Sequence, residues 1–351
     1  MEKIGKKTQS GKVLFMGIDV HELTYSVSLF FEGEELLNQQ YPSDTKYLKR
    51  ILDKYSNFTI CATYEAGPFG YGLYDWLKKH GVNVTVTPPS KMPVAPGELV
   101  KTDKRDARRL AQLLSGKLLK AVTVPDKKKR EDRELIRTRD QLVKARRRIF
   151  SQVQGKLRFH CLPIRNKAII TKKNKDSILA LPGMSDSLRS SFKLLLDSYE
   201  HHTKQLGVVR KEILDLADSD AYSPAVKVLT SIPGIGLITA ISFLLELPDM
   251  NAFKSNEHVG SYLGLTCSEY SSGETQHQGR ITRCGNARMR SLLVQCAWKV
   301  IVGDGAMMKF YERVKRRRGG KRAIIGVARK LSGRMRTVLL KNEEYQAGLI
   351  Q

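Results

Sequence analysis

The chain of 351 residues carries 61 Lys and Arg against 35 Asp and Glu, a formal net charge of +26, with 41% hydrophobic and 27% charged residues. This content supports folded cores of about two domains at roughly 150 residues each, and it excludes global disorder and a membrane bundle. The excess positive charge implies a polyanionic partner.

The apolar run Val13 to Ile18 is followed by Tyr25 to Phe31 and Glu34 to Gln40, punctuated by Gly33 and Pro42, and predicts three consecutive strands. A helix over Asp44 to Lys54, a strand over Phe58 to Tyr64, a helix over Gly72 to Lys79, a strand over Asn83 to Val86 and a helix starting near Thr102 complete a βββαβαβα order. That order predicts a mixed sheet packed by helices, the layout of the ribonuclease H-like fold.

From Pro125 to about Ala221 the composition is helix-forming, with breaks at Pro163 and Pro182-Gly183. Leu135, Leu142 and Ile149 recur at seven, as do Ile136, Val143 and Phe150, so a long coiled-coil helix is expected, acting as connector and oligomerisation arm. Residues 101–175 hold 25 basic and 7 acidic side chains, +18 in all. The clusters Lys127, Lys128, Lys129, Arg130 and Arg146, Arg147, Arg148 are expected to hold phosphates, against the plainer reading of a solvated helix face.

A mainly helical, apolar block runs from Ala225 to about Gly303. Within it the string SIPGIG has the pattern of a helix-hairpin-helix, with Gly234 and Gly236 at the turn and phosphate-binding N–H groups at the next helix start; a plain helix turn is a comparable reading. Residues 305–341 form a second basic region, with 13 basic and 1 acidic side chains. The expected divisions are 1–125, 126–222, 223–303 and a basic tail, 304–351.

Val228 to Leu245 is 18 residues without a charge, but Pro233, Gly234 and Gly236 disfavour a membrane span. The five cysteines are scattered, so neither a disulfide framework nor a zinc knuckle is expected. The N-terminal apolar run ends at Asp19 and lacks the shape of a signal peptide, so the chain is expected in the cytoplasm, associated with the nucleoid when bound to DNA.

Four carboxylates fall where a metal-dependent nuclease needs them. Asp19 closes the first strand, Glu65 follows the fourth, and Asp103 and Asp106 share one helix face in KTDKRDARR. Together they would give an oxygen-rich site for Mg²⁺ or Mn²⁺, which phosphoryl transfer uses to neutralise charge on attacking and leaving oxygens. Taken alone, Asp103 and Asp106 also read as acids placed at a helix N-terminus by the macrodipole.

Near the other end, GLTCSEYSSGETQHQGRITRCGNARMR surrounds Ser271 and Ser272 with Arg280, Arg283, Arg288 and Arg290. A Ser-Ser-Gly string is usually only a turn, yet a serine among guanidinium groups is also a plausible phosphoryl nucleophile. Glu269, Glu274 and His277 are the loop's own candidate bases.

The strings MGIDVHELTYSVSL, YEAGPFGYGLYDWL and KTDKRDARRLAQLL resemble the N-terminal domain of the DEDD transposases of insertion sequences, a group that includes Piv-type invertases and RNA-guided bridge recombinases. The stretch from SIPGIG through GNARMR resembles their C-terminal domain, departing at Cys267, where proline is common. The resemblance spans about 13–125 and 225–300. It implies a RuvC-like recombinase whose acids map onto Asp19, Glu65, Asp103 and Asp106, with a covalent serine at Ser272, Ser271 being the adjacent rival. It also implies double-stranded donor and target DNA, a structured guide RNA, and a homo-oligomer, dimer or tetramer. No phosphate-binding P-loop occurs, as expected of a reaction that conserves phosphodiester energy in the serine linkage. A metal-only RuvC-like nuclease on branched DNA, and a non-catalytic nucleic-acid-binding regulator, are the competing readings.

Overall fold

The computed structural model describes residues 12–93, 102–163, 172–272 and 275–348; side chains at 172–174 and 271–278 lie outside this description. Two compact units divide at residues 124 and 125.

The first unit is built on β1 (Val13–Val20), β2 (Thr24–Phe31) and β3 (Glu34–Pro42), then α1 (Thr45–Lys54), β4 (Thr59–Glu65), α2 (Gly72–Lys79), β5 (Asn83–Thr87) and α3 (Asp103–Ser115). The sheet order is β3-β2-β1-β4-β5. β1 pairs antiparallel with β2 and parallel with β4, and β5 continues parallel beyond β4. Alternation along β1 sends Leu14, Met16 and Ile18 into a core shared with Leu48, Ile51 and Leu52 of α1 and Leu73 and Leu77 of α2.

The opposite face is small and polar. Gly17 pairs with Ser28 on one side and Thr63 on the other, and Ser26, Ser28, Thr63 and Thr87 are buried. Here α3 lies directly on the sheet. A Cβ on Gly17 would stand 2.1 Å from the Ala107 carbonyl oxygen, so only glycine admits this approach. A second tie fixes the helix, because Glu35 of β3 accepts from Arg108 Nε at 2.9 Å, Ser28 Oγ at 2.9 Å and Asn38 Nδ2 at 2.8 Å. Beyond α3 the chain returns along β5, where Val122 N–H donates to the Val86 carbonyl at 2.7 Å.

The second unit opens with α4 (Lys127–Phe159), α5 (Lys172–Leu179) and α6 (Asp186–Asp218). Phe150 meets Tyr199 and Lys156 meets Ser191, so α4 and α6 run antiparallel within one chain. Ile149, Val153 and Leu157 pack there against Phe192, Leu196 and Tyr199. The seven-residue pattern is thus used inside the chain along this stretch, and at its start Ile136 enters a different core with Ile213 and Ala217.

That larger core belongs to α7 (Ser223–Thr230), α8 (Leu237–Glu246), α9 (Asn256–Tyr262), α10 (Ala287–Gly303), α11 (Gly305–Arg318) and α12 (Gly320–Lys341). α7 and α8 split the uncharged stretch in two, and no helix among the described residues is long and apolar enough to cross a membrane. Between α9 and α10 the chain forms an antiparallel hairpin, β6 (Cys267–Ser272) and β7 (Thr275–Ile281), where the sequence suggests an open loop. Polar residues on both strands hide the alternation that would announce it. The basic stretch 305–341 is two helices, of which α12 buries Ala323, Ile324, Val327, Ala328, Leu331 and Met335 at helical spacing.

Candidate active site at the carboxylate edge of the sheet

β1 and β4 leave the sheet side by side, Ile18 opposite Tyr64, and the next residues are Asp19 and Glu65. Period-2 alternation gives both acids the phase of Gly17 and Thr63, the face on which α3 lies. The same row continues through Ser26 to Gln40 on one side and from Glu65 to Thr87 on the other. Above it α3 begins: Thr102 caps the helix by accepting from the Arg105 N–H at 3.4 Å, and Asp103 and Asp106 occupy its first turn, where the helix dipole favours negative charge.

Asp19 and Asp103 meet at one histidine. His21 Nε2 stands 3.1 Å from Asp19 Oδ2 and 3.6 Å from Asp103 Oδ1. One donor atom from each of Asp19, His21 and Asp103 lies within 4.8 Å of the other two, a spacing that suits a shared cation. Gln40 Nε2 adds hydrogen bonds to Asp103 Oδ2 at 3.3 Å and Thr24 Oγ1 at 3.2 Å. Burial raises the Asp19 carboxyl above the usual carboxylate range; His21 pulls it down, and the charges of Asp103 and Asp106 push it further up. An acid so placed gains from any cation brought beside it. His21 and Gln40 escaped the sequence reading. The Asp-x-His spacing is a local signal for the first; the second is set only by strand register.

In the second unit the serine pair ends β6, with Ser272 opposite Thr275 and Ser271 opposite Gln276. The four arginines near it divide. Arg280 and Arg283 are exposed. Arg290 Nη1 donates to the carbonyls of Leu263 at 2.9 Å and Cys284 at 2.7 Å, and Arg288 pairs with Glu246 and, at 3.2 Å, with Asp140. Glu246 is buried at the end of α8 and also accepts from Asn286 Nδ2 at 2.7 Å and Arg137 Nε at 3.3 Å.

The basic clusters divide similarly. Lys129 Nζ donates to the Leu247 carbonyl at 2.8 Å, its ammonium pushed below the usual lysine range by burial and then by Arg133, which itself donates to the Leu245 carbonyl. Both close the C-terminal end of α8, where unpaired carbonyls attract cations. Lys127 and Lys128 pair along α4 with Glu131 and Asp132, Arg130 Nε donates to the Asp126 carbonyl, and the Arg146 guanidinium lies 5.8 Å from the Tyr199 ring centre. Arg147 and Arg148 are exposed. At the α7–α8 turn Gly234 has φ +84° and lies so close to α10 that a Cβ would stand 2.7 Å from Lys299 Cβ; Gly236 precedes α8 with open space around it.

Two family models match the chain. One, described as "Transposase" and carrying the DEDD designation, covers residues 16–162, and one described as "Transposase IS116/IS110/IS902 family" covers 226–312. The Sinorhizobium fredii protein named "Putative transposase y4qE" is 32% identical over 84% of this chain and 73% of its own length. The chain belongs to the IS110 transposase family. The transposase for insertion sequence element IS1533 of Leptospira borgpetersenii is 26% identical over 92% of this chain and 94% of its own, and that for IS1111A of Coxiella burnetii is 24% identical over 71% and 69%. As an insertion-sequence transposase this protein is a DNA-cleaving and rejoining enzyme with DNA as substrate. The matched DEDD domain spans all four acids and suggests a divalent metal.

Proposed function

We propose that this transposase cuts and rejoins DNA through a RuvC-like carboxylate site, Asp19, Glu65, Asp103 and Asp106, acting with a serine of the β6–β7 hairpin as covalent nucleophile. The observation that carries the reading is the meeting of Asp19 and Asp103 at the sheet edge, beside the strand end that bears Glu65. The sheet order and the helix laid over β1 support the RuvC-like assignment. The acids fit a divalent cation by their hard oxygen donors, and Mg²⁺ or Mn²⁺ held there supplies charge neutralisation on the scissile phosphate.

The hairpin's part is nucleophilic. The Ser272 hydroxyl oxygen forms a bond to phosphorus, the bond from phosphorus to one deoxyribose oxygen breaks, and that oxygen leaves as a hydroxyl after the serine proton has been passed to it. Reversal with a different DNA hydroxyl restores the serine and joins the new strand, so no external energy source is consumed. Ser271 is the neighbouring alternative. Arg280 and Arg283 are the exposed guanidinium groups best suited to the phosphate.

Phosphates of donor and target duplexes, and of a guide RNA, are held by Lys127, Lys128, Arg147 and Arg148, and by the N–H groups that open α8 after Gly236, a helix-hairpin-helix use of that turn. The helical arm of α4 and α6 serves to join protomers into a dimer or tetramer. Trapping the reaction on nicked DNA and mapping the adduct by mass spectrometry tests the covalent step. A phosphoserine adduct at Ser272 is expected. Full strand exchange by a Ser271→Ala, Ser272→Ala double variant would leave metal-only cleavage as the mechanism.

A further inference from the structure

Resting on the metal-site reading above, we propose that His21 donates an imidazole nitrogen to the same cation as Asp19 and Asp103. The site is then mixed nitrogen and oxygen, and it prefers transition ions such as Mn²⁺ and Co²⁺ to Mg²⁺ more strongly than four carboxylates would.

The backbone places this ring. His21 opens the short turn between β1 and β2, and its N–H donates to the Thr24 carbonyl at 2.9 Å. Ser43 holds the same turn from the far side, its N–H donating to the Leu23 carbonyl at 2.9 Å and its hydroxyl to the Glu22 carbonyl at 2.7 Å. The turn is therefore tied at each of its residues, and the imidazole is carried on a fixed stem. The atom it turns toward the acids is Nε2, which reaches oxygens from two different elements, a strand end and a helix start. A histidine serving one carboxylate would need only one of these approaches. Half of the His21 side chain is exposed, so an ion and its waters can reach the group from solvent.

Ligand chemistry gives the metal preference. Mg²⁺ binds hard oxygen donors, keeps its water reluctantly exchanged, and gains little from imidazole. Nitrogen donors raise affinity for divalent first-row transition ions, in the order Mn²⁺ below Co²⁺. Gln40 contributes as an anchor: by donating to Asp103 Oδ2 it leaves Oδ1 on the His21 side.

The test uses the full chain with Mn²⁺ as probe and electron paramagnetic resonance as readout. Wild-type protein should show nitrogen-14 hyperfine coupling to bound Mn²⁺, lost in His21→Ala and in His21→Gln. Calorimetric titration should show Mn²⁺ and Co²⁺ affinity falling about tenfold or more in both variants, with Mg²⁺ affinity changed by less than about twofold. Unchanged circular dichroism establishes that the variants are folded, and two replacements guard against one that is not. Mn²⁺ bound in wild type, lost in Asp19→Asn, but without nitrogen coupling would overturn the role of His21 and leave the carboxylate site standing. Mn²⁺ binding indifferent to Asp19→Asn, or no binding at all, would overturn the metal-site reading and this inference with it.

Discussion

Asp19 and Asp103 in the first unit and Glu246 and Asp304 in the second are all carboxylates on ordered elements, yet their surroundings treat them in opposite ways. Among the described residues, Asp19 and Asp103 share a histidine, Asp103 also accepts from the Gln40 amide, like charges stand close by and the Asp103 side chain is 44% exposed. Glu246 and Asp304 are enclosed and matched by arginines: Arg288 and Arg137 for the first, Arg334 for the second at 2.5 Å, with the Tyr345 hydroxyl donating to Asp304 as well. A fold that supplies a guanidinium to a buried acid has used that acid for structure. Where acids are gathered around an imidazole, as Asp19 and Asp103 are, their mutual repulsion favours an added cation.

The sharpest way to break this contrast is by alanine at each acid. Asp19→Ala, Glu65→Ala, Asp103→Ala and Asp106→Ala should each lower DNA strand cleavage and joining by at least about a hundredfold, with melting temperature retained. Near-normal activity in any one removes that residue from the site. Asp304→Ala should do the reverse and lower folding stability by about 3–5 kcal/mol in a denaturant titration, because Arg334 is left buried and α11 loses the cap accepting from Ala306 and Met307. Adding Arg334→Met to Asp304→Leu should recover most of that loss; failure to recover would mean that the pair is more than mutual compensation.

Metal addition sharpens the same division. Mg²⁺ or Mn²⁺ at about a hundred times its dissociation constant should stabilise the wild-type protein by about 2.7 kcal/mol, and Asp19→Asn should cancel the gain. Without metal the sign reverses. The Asp19 carboxyl is raised in the fold, so its contribution is favourable below its unfolded value and is lost as pH rises through the folded one. Metal-free Asp19→Asn should therefore melt higher than wild type near neutral pH, the difference closing as pH falls through the carboxylate range.

The smallest effect concerns the cations. Replacing Arg147 and Arg148, or Arg316 to Arg318 at the end of α11, should weaken DNA binding without preference for sequence, each lost phosphate contact reducing the log–log salt slope by about 0.7–0.9. Arg290→Ala should instead lower the melting temperature, since its donors close the chain around Leu263 and Cys284. A pure affinity loss for Arg290→Ala would contradict that structural role.

The amino-acid order alone determines the β1 to α3 succession, because period-2 apolar runs bounded by Gly and Pro and a capped helix start are local signals, and it places Asp19, Glu65, Asp103 and Asp106 at the ends of those elements. The β6–β7 hairpin is not legible in this way, since its strands are polar and carry no apolar alternation. The positions of Gln40 and His21 at the acids depend on strand register and a turn, and the division of the basic residues depends on pairs far apart in the chain, such as Arg137 with Glu246 and Lys129 with Leu247. Composition counts charges, but only tertiary structure brings a buried carboxylate or an open helix end to one arginine and leaves its neighbour to solvent, because desolvated charge must be matched locally whatever the sequence distance.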